Sequence, residues 1–212
     1  GSEMCIRDST HTLAAGHAYS TLLENIDVAL AMGLQYLGMS EHGPTSPGGP
    51  HNFFFSNYKV IPRIYDREEN TGRVIPKPDG SLRLLCGVEA NICSTNGELD
   101  LEERYLQKMD YALASIHPFA FTAGSRKENT LASVRAFQNP YVKILGHPDD
   151  GRFPLDYDEL VREARQAQAV LEVNNSSLNP QSARQGGREN ITELLNCLLY
   201  TSDAADDLTR VD

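Results

Sequence analysis

The sequence predicts an α/β fold, and three observations carry that expectation. Short apolar runs such as LQYLGMS, YALASI, VKILG and AVLEV alternate with segments of helical periodicity. The connecting segments are long enough for crossovers, which is the pattern of parallel βα units. Polar, chemistry-bearing residues fall at the ends of the apolar runs, the arrangement expected of one face of an α/β barrel.

The elements follow in order. Thr21 and Glu24 form a potential capping box. Leu22, Leu23, Ile26, Ala29 and Leu30 make one apolar face behind it, and Gly33 is placed to end that helix. LQYLGMS is the next strand and delivers Glu41, His42 and Gly43. PTSPGGPHNFFF reads as a Pro/Gly-rich loop, and NYKVIPRIYDREE as a helix kinked at its proline. Pro78-Asp79-Gly80 marks a turn between two short strands, the second ending at Glu89. LEERYLQKM, KENTLASVRAFQ and DYDELVREARQAQ read as helices, and RENITELLN starts another. Between them, strands end at His117, His147 and Asn174-Asn175.

Composition narrows the function. The 212 residues are 40% hydrophobic, and no apolar run is long enough to span a bilayer. A formal charge of -10 and a pI near 5.0 argue against a nucleic-acid binder, which needs a basic face. The four cysteines (Cys5, Cys86, Cys93 and Cys197) include no CxxC pair. That suits a reduced, cytoplasmic setting in which Cys86 and Cys93 are packed thiols. No signal peptide is visible.

The two ends read differently from the rest. Back-translated, GSEMCIRDS and CLLYTSDAADD resemble the two arms of a transposase-type sequencing adapter. The expectation is therefore a single domain over 10–196, flanked by adapter-derived residues 1–9 and 197–212. MCIRDS could stand in for a lost first strand. The tail could continue the last helix through Ile191, Leu194, Leu195, Leu198 and Leu199 at helical spacing. Exposed strand edges would favour a homo-oligomer.

Five of the six histidines, His11, His17, His42, His117 and His147, join Glu89 at strand ends or strand–loop junctions. A lone strand-end histidine is usually a hydrogen-bonded structural group, but five with a carboxylate at equivalent positions point to a metal site. Imidazole and carboxylate together suit Zn²⁺, with Mn²⁺ or Fe²⁺ as alternatives.

The ordered set THTLAAGHAYST, SEHGP, GVEANI, NGELD, SIHP, GHP and LEVNNSS resembles the PHP-superfamily phosphoesterases across 10–196. The resemblance implies a distorted (βα)7 TIM-like barrel, with the first and last strands incomplete here. It also implies up to three divalent metals, fewer in this chain, and metal-activated hydrolysis of a small phosphomonoester. His11, His17, His42, Glu89, His117 and His147 match six ligand positions of that family. Ser9 stands where a first histidine is expected, and a late Asp-x-His has no counterpart. By resemblance, Glu89, His117 and His147 form the most complete site. His51 and Arg184 are weaker candidates for substrate contact, and Asn174 to Ser177 for support behind the ligands. The alternatives are a non-catalytic metal-binding PHP fold, or a histidinol-phosphate phosphatase or nuclease-type relative. No membrane and no nucleic-acid partner is expected.

Overall fold

The computed structural model describes residues 6–207 and is mixed α/β, with eight strands and six α-helices among them. It divides into two compact units. The first comprises Gly1–Ala90 and Asp100–Leu113, the second Asn91–Leu99 and Ala114–Asp212.

In the first unit β1 (Ile6–Thr10) runs parallel to β2 (Tyr36–His42), with an irregularity in register between Arg7 and Thr10. The backbone of 6–10 is thus a paired strand; Met4 and Cys5 of the MCIRDS stretch lie outside the described residues. The connection is α1 (Leu22–Ala31), which begins at the expected capping box. Thr21 Oγ accepts from the Glu24 amide, and the Glu24 carboxylate accepts from the Thr21 amide at 2.7 Å. The helix ends in a Schellman motif. The Leu34 amide donates to Ala29 and the Gly33 amide to Leu30, and Gly33 sits at φ 71, where a residue without Cβ is unstrained. Of the expected apolar face, Ile26 and Ala29 are buried, whereas Leu23 is exposed.

Parallel pairing of β2 with β5 (Leu82–Asn91) sets the register that matters, Ser40 opposite Gly87 and His42 opposite Glu89. Side chains alternate along a strand, so His42, Glu89 and Asn91 share one face and Glu41 and Val88 the other. β5 is ten residues long and runs through Glu89 to Asn91, rather than ending at Glu89. β6 (Tyr111–Ser115) begins in this unit next to β5.

The segment NYKVIPRIYDREE is not a helix. A 3-10 turn covers Ser56–Val60, and β3 (Ile64–Arg67) pairs antiparallel with β5 and with β4 (Val74–Pro76). Pro62 removes an amide donor just before Ile64 and Tyr65, and the ladder to β5 satisfies the backbone that a helix would have satisfied internally. The Pro78–Gly80 turn is present, with the Gly80 amide on Lys77 O, but β3 lies between the two strands it connects. Part of the supposed loop is the single helical turn α2 (Asn52–Phe55). The short α3 covers Glu103–Leu106.

In the second unit the Gly146 amide donates to Ala114 O at the end of β6. β7 (Val142–Leu145) runs parallel to the two-residue β8 (Val170–Leu171). α4 (Arg126–Ala136) has a capping box from Ser125 and Glu128. α5 (Tyr157–Ala167) is N-capped by Asp156 and buries Tyr157, Leu160, Val161 and Ala164. α6 runs unbroken over Gly187–Asp207. Its Ile191 and Leu194 are buried as expected, but Leu195, Leu198 and Leu199 are exposed. Cys86 is a buried thiol, while Cys93 lies at the surface rather than in the core. No helix among the described residues is long and apolar enough to cross a membrane.

Candidate metal-binding site

Two clusters of ligand-type side chains emerge, one in each unit. In the first unit the end of β1, the loop behind it, β2 and β5 each contribute. His11 follows β1 directly, and its placement is fixed from two sides. Asn25 Nδ2 donates to the His11 carbonyl at 3.0 Å. The next residue, Thr12, gives its amide (2.9 Å) and its hydroxyl to the Glu41 carboxylate. Glu41 is fully buried on the far face of β2, so this anchor is a charge-assisted bond shielded from water. The Gly16 turn, at φ 77, swings His17 back over the strand ends.

The result is three imidazoles around one carboxylate. His11 Nε2 lies 3.3 Å and His42 Nδ1 3.5 Å from the same oxygen, Glu89 Oε2. The His11 and His42 rings stack with centroids 4.5 Å apart, and the His17 ring is 5.2 Å from the first and 4.9 Å from the second. One nitrogen from each of His11, His17 and His42 lies within 4.8 Å of the others. His17 Nδ1 donates to Ala15 O at 3.1 Å, which leaves Nε2 with its lone pair available. For His11, burial is the largest single influence and lowers its pKa. The hydrogen bond and charge of Glu89, then the charge of Glu41 and the Ser40 carbonyl, outweigh it and leave the pKa raised.

In the second unit His117 and His147 meet. Nδ1 of His117 faces Asn91 Oδ1 at 2.7 Å, so Nε2 carries the lone pair, and it lies 3.1 Å from Nε2 of His147. His147 is buried, with a positive φ of 31. The phenyl ring of Phe119 stacks on His117, centroids 5.1 Å apart and planes within 10°.

The donor set fits divalent cations. Two imidazole nitrogens on one tetrahedral zinc, each bonded at ~2.0–2.1 Å, stand about 3.3 Å apart, close to the observed separation. Asp149, two residues past His147, is fully buried, and neither carboxylate oxygen has a hydrogen-bond partner among the described residues. A buried carboxylate without a donor is costly unless a cation or a proton offsets it.

The described contacts of His51 and Arg184 are local ones. His51 caps α2, its Nδ1 accepting from the Phe53 amide. Arg184 donates through Nη1 to the hydroxyls of Ser176 and Ser177. Sequence reading missed four supporting residues: Glu41, Asn91, Asp149 and Glu172. Glu41 and Asn91 lie one and two positions from assigned ligands. Strand alternation would have put Asn91 on the ligand face and Glu41 behind it. Nothing in the local sequence marks Asp149 or Glu172 in that way.

The fold and these clusters describe an α/β protein with histidine and carboxylate groups that could hold a metal ion. No protein-family model matches the chain, but curated relatives do. A probable phosphatase of Clostridium acetobutylicum is 39% identical over 186 residues, 87% of this chain and 69% of the relative. One of Clostridium novyi is 40% identical over 187 residues, 88% and 70%. One of Thermoanaerobacter sp. is 40% identical over 198 residues, 93% and 72%. The chain belongs to this family of bacterial probable phosphatases.

Proposed function

We propose that the chain is a metal-dependent phosphatase of the PHP type, hydrolysing a small phosphomonoester at a site where His11, His17, His42 and Glu89 hold a divalent cation. The parallel neighbours β1–β2–β5 and β7–β8 support the reading of a distorted (βα)7 barrel. The names of the relatives support the reaction class. The single observation that carries the reading is the approach of two imidazoles to one Glu89 oxygen, at 3.3 and 3.5 Å.

Bound there, divalent cations polarise a phosphoryl oxygen and lower the pKa of a water toward ~7. The residues of the chain do the rest. Three neutral imidazoles and one carboxylate carry a single negative charge, so a doubly charged ion leaves the cluster net positive. A phosphate dianion is then accepted despite the acidic balance of the chain. Glu41, through Thr12, and Asn25, through the His11 carbonyl, hold His11 in place, which serves catalysis by pre-organisation. His117 and His147 form the corresponding grip in the second unit. Zinc is favoured by this nitrogen-rich set, with Mn²⁺ or Fe²⁺ as alternatives. His51 and Arg184 are the candidates for substrate contact.

Chelator-stripped protein should lose p-nitrophenyl phosphate hydrolysis and regain it with stoichiometric Zn²⁺ or Mn²⁺. Full hydrolysis by metal-free protein would exclude this reading. A second reading, a metal-binding fold without turnover, draws on Ser9, which occupies the place of an expected first ligand. Tight metal binding with no hydrolysis of any phosphomonoester would favour it.

A further inference from the structure

We infer that Glu172 is a positioning residue that clamps His147 into its ligand geometry; this rests on the metal-binding reading above. His147 holds φ 31, a region that a side chain with a Cβ rarely occupies. It also precedes Pro148, which disfavours the ordinary helical alternative. Such a conformation persists only where its surroundings over-determine it.

Glu172 supplies that constraint twice. Its amide donates to Leu145 O at 3.0 Å, docking the end of β8 onto the end of β7. Its carboxylate Oε2 accepts the His147 amide at 2.7 Å. The clamp therefore grips the chain two residues apart, on either side of Gly146, and sets the direction in which the His147 ring leaves the backbone.

The carboxylate is itself held by a relay of donors. Asn174 Nδ2 donates to Glu172 Oε1 at 3.1 Å. The orientation of that amide is fixed because Asn174 Oδ1 accepts the Ser176 amide (3.0 Å) and hydroxyl (2.6 Å). Arg184 Nη1 donates to Ser176 Oγ at 2.8 Å and to Ser177 Oγ at 3.2 Å. Every step of the relay donates toward Glu172, which suits an ionised acceptor. Glu172, Asn174 and Ser176 thus connect Arg184 to His147, and the LEVNNSS segment acts as the brace behind it.

Zinc titration of protein labelled with ¹⁵N in its histidines reads each imidazole separately, with signals assigned from His117→Ala and His147→Ala. In the unaltered protein zinc should move the Nε2 signals of both residues. Glu172→Ala should raise the zinc concentration at half-shift of the His147 signal about 10–100-fold, while His11, His17 and His42 titrate as before. Glu172→Gln, which keeps an acceptor for the His147 amide, should stay within about threefold of the unaltered protein, well short of the alanine loss. If Glu172→Ala does not fold, Asn174→Ala should still raise the half-shift of the His147 signal about threefold or more by loosening the carboxylate. An unchanged half-shift in Glu172→Ala, or Gln as weak as Ala, would overturn the clamp while leaving the metal site standing. Zinc moving no histidine signal in the unaltered protein would overturn both.

Discussion

Nε2 of His117 and Nε2 of His147 face each other at 3.1 Å, with Nδ1 of His117 committed to Asn91. Two lone pairs directed at each other are repulsive, so the contact needs a shared proton or a shared cation. Without metal, Nε2–H of His147 donates to Nε2 of His117, so replacing either ring should remove that hydrogen bond from the metal-free protein and a ligand from the loaded one. His117→Ala should reduce the number of tightly bound zinc ions, measured by competition with a chromophoric chelator. It should also lower the metal-free melting temperature by about 2–4 °C, through the loss of its hydrogen bonds to His147 and Asn91.

Glu89→Gln preserves shape on β5 but removes the charge that His11 and His42 approach. Losing a charged ligand removes several kcal/mol of Lewis-acid positioning. Activity toward p-nitrophenyl phosphate should fall about 100-fold or more, with an unchanged far-ultraviolet circular dichroism spectrum. Retained activity would show that this carboxylate is not in the reacting assembly.

Glu41→Ala tests the anchor behind His11. Hydrogen bonds to a buried charged acceptor contribute about 1.5–3 kcal/mol, so urea unfolding of the metal-free variant should lose a comparable amount. Since Thr12 would no longer fix the chain next to His11, metal affinity should fall as well. Glu41→Gln retains one acceptor oxygen and should recover part of both losses.

Acidification should act on His11 with a definite sign. Its folded pKa is raised by the hydrogen bond and charge of Glu89 against the opposing effect of burial. In metal-free protein this contributes stability that is complete below the ordinary value near 6.5 and is lost as pH rises through the higher folded value. Metal binding runs the other way, because the ion must displace that proton. Zinc affinity should begin to fall above the pH expected for an ordinary histidine. His11→Gln, a neutral replacement, should flatten that part of the profile.

Much of this was legible in the sequence because local rules governed it. The capping box at Thr21, the end of α1 at Gly33 and the strand-end positions of His42 and His147 follow from periodicity and turn chemistry. The stretch through Ile64–Arg67 was misread as helix, because its strand character comes from pairing with β5 and β4, partners remote in sequence. The carboxylates of Glu41 and Glu172 were missed for the same reason. Each acts on a backbone amide more than twenty residues away, Thr12 and His147 respectively. Residue type places Cys93 in the core, but it lies two residues past β5, its amide on Glu98 O, and is left at the surface.

X-ray absorption at the zinc K-edge of reconstituted protein tests the central claim most directly. Nitrogen and oxygen neighbours at ~2.0–2.1 Å, with the outer-shell multiple scattering of several imidazoles that weakens in His42→Ala, are the predicted result. Zinc surrounded by oxygen alone, with no imidazole scattering, would contradict it.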